Sequence, residues 1–114
     1  MDCSDPANWN RLVFVVVHLD DAGDYADTLL EGGFSHTRVT GSGGFLRNAN
    51  VVFMVAMDRA RLGDLERLTA SSCRTRDEFV TLPWTGEIDV ASPIEVTVGG
   101  ATMFVLEIEK AIRI

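Results

Sequence analysis

The sequence predicts one small α+β domain. Three observations in its 114 residues carry that expectation. The runs LVFVVVH (residues 12–18) and VVFMVAM (51–57) have the length and β-branched content of buried strands. Two stretches place apolar residues three and four apart, the period of a helix with one buried face. The closing segment IEVTVGGATMFVLEIEKAIRI (94–114) alternates on both sides of a Gly-Gly pair. The length suits a single core, and 46% apolar residues is ordinary for a folded domain.

Residues 1–10 are polar and aperiodic. They read as a flexible or loosely docked tail, with Trp9 as the side chain whose ring would pin it. The domain is expected over 11–114. After the first strand, Asp20 or Asp21 is placed to cap a helix. Ala22, Tyr25, Ala26, Leu29 and Leu30 form its apolar stripe, and Gly32–Gly33 end it. FSHTRVT (34–40) reads as a second strand, and 51–57 as a third. Asp58 is placed to cap a second helix. Leu62, Leu65 and Leu68 or Thr69 supply its buried side, and it ends near Cys73. Residues 74–93 read as irregular, broken by Pro83, Gly86 and Pro93. The last segment then reads as two strands turning at Gly99–Gly100. The order β-α-β-β-α-β, with the final strand as a hairpin, is the ferredoxin-like pattern. Its helices cover one sheet face only. Strands this apolar leave the other face unsuited to water, so oligomerisation through it is expected.

Charge and composition narrow the function. A net charge of −7 disfavours a nucleic acid polymer as partner. No apolar run is long enough to span a bilayer, and no signal peptide is read, so the cytoplasm is the expected compartment. Cys3 and Cys73 stand alone, without zinc-ligand spacing. Asp20, Asp21 and Asp24 lack the calcium-loop pattern and read as a solvated helix start. Arg59, Arg61, Arg74 and Arg76 interleave with acidic residues as a salt-bridged surface. Ser42 and His36 lack an orienting acid, and His18 reads as a surface histidine. No enzyme and no cofactor are expected.

The segment GSGGFLRNAN (41–50) is the chemical focus. Gly41, Gly43 and Gly44 let backbone amides approach an anion. Phe45 and Leu46 are apolar residues able to pack on a flat ring. Asn50 carries a donor and an acceptor that match an adenine edge. Thr37 adds a hydroxyl. Arg38 and Arg47 flank the loop as candidates for a phosphate. A flexible hairpin loop with a core phenylalanine is the plainer account of the same residues.

GSGGFLRNANVVFMV (41–55) resembles the TGGFLxxGN-type signature of the PII-like cyclic-di-AMP receptor family. IEVTVGGATMFVLEIE (94–109) and CRTRDEFV (73–80) are similar to that family's other segments. The resemblance runs from about residue 12 to 114. It implies a homotrimer with a cyclic-di-AMP cleft between each pair of neighbours, and an unknown downstream protein as partner. By position, Thr37 would contact a base. Gly44, Phe45 and Leu46 would wrap the ligand, with Gly43 beside them, and Asn50 would bond an adenine. Gly33 and Ser35 stand where studied members have an Asn and an Arg, which removes a polar contact and a charge. Asn48-Ala49 replaces a small-Gly pair. Ala111 and Arg113 replace a Phe and a Gln, and the segment after the second helix is shorter. Two other readings follow from these departures: a regulator of the same type that binds an adenine mononucleotide, and a trimeric interaction module that has lost its ligand.

Overall fold

The computed structural model describes residues 5–39, 49–81 and 93–114. Its elements are β1 (Arg11–His18), α1 (Leu19–Glu31), β2 (His36–Val39), β3 (Asn50–Met57), α2 (Leu62–Ser72), β4 (Arg76–Thr81), β5 (Pro93–Val98) and β6 (Ala101–Glu107). The main sheet has the order β2-β3-β1-β6, every neighbour antiparallel. This is a ferredoxin-like arrangement, in which β6 serves as the fourth strand.

Alternation within each strand sorts the two faces. Val13, Val15 and Val17 of β1 and Val51, Phe53, Val55 and Met57 of β3 are buried beneath the helices. Ala22, Tyr25 and Leu29 of α1, with Leu65 of α2, complete that core. Each fully buried aliphatic or aromatic side chain there contributes about 1.5–3 kcal/mol by leaving water. The hydroxyls of Tyr25 and Thr69 pair at 2.7 Å inside the core, so neither is left unsatisfied. Leu30, expected in the stripe, is instead 66% exposed, because the buried face of α1 runs through Asp21, Ala22, Tyr25 and Leu29.

Several local expectations need correction. The cap of α1 is His18, whose Nδ1 accepts the Asp20 amide at 3.1 Å. Asp21 is no solvated cap. It is buried and pairs with Arg76 at 3.1 Å, which ties β4 to α1. Asp58 caps a 3-10 turn, Arg59–Arg61, that leads into α2. The end of α1 follows the expected pattern. Gly33 takes φ 76°, and the Phe34 amide returns to the Leu29 carbonyl at 2.9 Å. Arg61 clamps that end by donating to the Gly32 carbonyl at 2.9 Å, with its guanidinium 4.2 Å from the Phe34 ring centroid.

The C-terminal hairpin is the largest correction. β5 and β6 flank Gly99–Gly100 but do not pair with each other. β5 pairs with β4 in a separate two-stranded sheet, and β6 pairs with β1. Part of the stretch expected to be irregular is therefore strand β4. Gly99 and Gly100 both have positive φ, 86° and 78°, which lets the chain pass from one sheet to the other. A Cβ on Gly99 would also collide with the Arg74 carbonyl oxygen. Alternation in sequence reports a strand, not its partner. Residues 5–10, expected to end the tail, hold backbone hydrogen bonds. The Asn10 amide donates to the Met57 carbonyl at 2.9 Å, and the Ile108 amide donates to Asn10 at 3.0 Å. Among the described residues no helix is long and apolar enough to cross a membrane.

Two predictions follow from this packing. Burial pushes the Tyr25 hydroxyl from its ordinary 10.0 up to about 12, and the Thr69 hydrogen bond offsets part of that rise. Burial, then the Asp21 carboxylate, pushes the Cys73 thiol from 9.0 up to about 11, partly offset by Arg76. In both groups the folded state holds its proton more tightly than the unfolded chain. Stability is therefore intact below pH 9 and falls as pH rises through the 9–12 window. Urea titrations across that range should show the fall, and Tyr25→Phe with Cys73→Ala should flatten it. An unchanged slope in the double variant would contradict the assignment. The second prediction concerns Ala49. It has φ 62°, a left-handed conformation that costs an alanine about 1 kcal/mol, while its carbonyl accepts the Leu19 amide at 2.7 Å. Ala49→Gly should raise the melting temperature, and a lower one would show that the conformation carries no strain.

Candidate functional site

Opposite the helices, the sheet presents a face made by the alternate residues of each strand. Register places Leu12, Phe14 and Val16 of β1 beside Ala56, Met54 and Val52 of β3. Thr37 and Val39 of β2 lie opposite Met54 and Val52. Phe104 and Leu106 of β6 lie opposite Phe14 and Leu12, and are 40% and 46% exposed. No helix of the described residues packs on this side. Its centre is a shallow apolar concavity of about 230 Å³ lined by Phe14, Val16, Val52 and Phe104.

Two more polar depressions lie on the same face. The first, about 210 Å³, is lined by Val16, Val17, His18, Asn50, Gly99, Gly100, Ala101 and Thr102. His18 and Asn50 are register partners, so the ends of β1 and β3 bring an imidazole and a carboxamide side by side. A neutral His18 that accepts the Asp20 amide at Nδ1 carries its proton on Nε2. The second depression, about 180 Å³, is lined by Trp9, Ser35, His36, Thr37, Met54 and Ala56. It combines an indole, two hydroxyls and a thioether, a set that suits a flat ring with a polar edge. Asn50 and Met54 are four residues apart along β3, so the two depressions are separated by roughly 13 Å.

The structure thus brings Thr37 and Asn50 to one face, at two separate places. Arg38 stands opposite Phe53, whose side chain belongs to the core, so Arg38 is on the helix side of β2 and exposed. Gly43, Gly44, Phe45, Leu46 and Arg47 lie outside the described residues. The chain leaves β2 at Val39 and re-enters β3 at Asn50, beside His18. His18 and Trp9 are the lining residues that reading the sequence alone passes over. Only strand register shows that His18 faces Asn50, whereas Trp9 is signalled by being the one aromatic residue in a polar stretch. Among the described residues no group of three or more His, Cys, Asp or Glu could hold a metal ion.

The fold is shared with a solved structure. The chain is similar to a functionally unknown protein from Pediococcus pentosaceus ATCC 25745, with 28% sequence identity and a TM-score of 0.72. The likeness covers 94% of this chain and 99% of that one. The two-helix, antiparallel-sheet architecture is therefore shared with that structure over nearly the whole of both chains. The protein-family model described as cyclic-di-AMP receptor matches residues 10–114, a span that includes the sheet, both helices and the residues between β2 and β3. The chain belongs to the cyclic-di-AMP receptor family.

Proposed function

We propose that this protein is a PII-like, non-enzymatic signal-transduction receptor of the cytoplasm. It binds cyclic-di-AMP in clefts between the subunits of a homotrimer. The observation that carries the reading is the shared face of Thr37 and Asn50. Both lie on the apolar sheet side that no helix of the described residues covers, within the span of the family match. Packing three copies through that face removes Phe14, Phe104 and Leu106 from water. It also sets the depressions at Thr37 and Asn50 along the seams between neighbours. In this reading Thr37 contacts a base, and Asn50 selects adenine through its donor–acceptor pair. Gly43, Gly44, Phe45 and Leu46 wrap the ligand, while Arg47 supplies charge for a phosphate; Arg38, expected to share that task, stands on the helix side of β2 and is left out of the site. Ligand binding then alters the surface offered to a downstream protein.

Calorimetry with cyclic-di-AMP, cyclic-di-GMP and ATP tests the proposal. Cyclic-di-AMP should bind most tightly. Asn50→Ala should cost about 1–3 kcal/mol, the loss of one polar contact plus the unpaired group it leaves. Ser35→Arg adds a charge to the depression that holds Thr37 and should strengthen binding. Tighter binding of ATP would move the protein to mononucleotide regulation. No heat with any nucleotide, on folded protein, would make it an interaction module.

A further inference from the structure

We infer that Trp9 is a ligand-contacting residue, its indole forming a stacking wall for a purine base in the depression that also holds Thr37. The inference rests on the proposed nucleotide site and adds to it a residue from outside the family match, which begins at residue 10.

Three observations support it. The first is position. Trp9 lines the same depression as Ser35, Thr37 and Met54 and is half-buried there, so its ring is neither core nor fully solvated. The second is anchoring. Asp5 accepts the Ala7 amide at 3.0 Å and starts a 3-10 turn over Pro6–Asn8, and the Trp9 amide donates to the Pro6 carbonyl at 3.1 Å. The next residue, Asn10, is tied to distant segments at four points. Its backbone bonds Met57 and Ile108, and its side chain accepts the Arg59 amide at 2.7 Å and donates to Asp58 at 3.4 Å. The Trp9 backbone is thereby held one residue from a junction of β3, β6 and the turn before α2. This clamp positions the indole before any ligand arrives, so little ordering is left to offset binding.

The third observation is chemical fit. Every nucleobase has a π-face, and an indole is the largest stacking surface a protein offers. Ser35 and Thr37 add hydroxyls that can bond a base edge, and Met54 adds a polarizable contact. Together the lining recognises a flat heteroaromatic ring with polar rim atoms, as in a purine. A purely structural Trp9 would need only to cover Met54 and Ala56, and it would be indifferent to ligand.

The test uses the full chain with Trp84→Phe, which leaves Trp9 as the only tryptophan. Adding cyclic-di-AMP should change its fluorescence saturably, with the same midpoint as calorimetry. In calorimetry Trp9→Ala should weaken binding about tenfold or more, and Trp9→Phe should recover most of the loss. Wild-type affinity in Trp9→Ala, or a Trp9 emission indifferent to saturating ligand, overturns the inference while leaving the receptor reading intact. Tighter binding in Trp9→Ala also overturns it, by showing that the ring obstructs the depression. No binding by the wild-type protein removes the receptor reading and this inference together. If Trp9→Ala fails to fold, the fluorescence titration decides alone.

Discussion

β1 has neighbours on both edges and apolar side chains on both faces, and the rest of the molecule is arranged around that fact. Val13, Val15 and Val17 fill the core beneath the helices, while Leu12, Phe14 and Val16 point to the other side. The two helices can cover only one of those faces. A strand with this composition in a one-layer sheet leaves an apolar surface that water does not suit. The architecture therefore poses the question of what covers it, and the proposed trimer is one answer. The same choice of strand order places β2 at one edge and β6 at the other. Thr37 and Phe104 consequently flank the face they share with Asn50.

Much of this was legible in the sequence. The valine-rich runs identified β1 and β3 to within a residue, and the glycine pair at 32–33 marked the end of α1. What the sequence could not convey was partnership between distant segments. The alternation around Gly99–Gly100 is that of two strands, and a hairpin is the shortest way to pair them. The chain instead crosses between sheets, since β1 presents a free edge to β6 and β4 presents one to β5. Likewise the acidic start of α1 favours an aspartate cap by composition. Asp21 instead meets Arg76, fifty-five residues later, and His18 takes the cap. Of the candidate site, Thr37 and Asn50 were singled out by side-chain chemistry and resemblance. Their common face became visible only through register, as did the neighbour His18.

The N-terminal segment illustrates the same limit. Its polar composition predicts a tail, and composition is silent about Asn10. That residue satisfies amides and carbonyls from three separate elements, which fixes the chain beside β1. The core itself depends on comparable pairing. The Tyr25 and Thr69 hydroxyls satisfy each other across two helices, so a tyrosine can be buried in a largely apolar core. These contacts hold the two helices on one side of the sheet, and they leave the opposite face without a described helix over it.

The central claim is that this face is an interface between copies, with ligand clefts along its seams. Light scattering on the purified protein at micromolar concentration tests it most directly. The account predicts a single species of three times the 12.5 kDa chain mass. A stable species of one chain mass would contradict it, because Phe14, Phe104 and Leu106 would then stand permanently in water with no seam to hold a ligand.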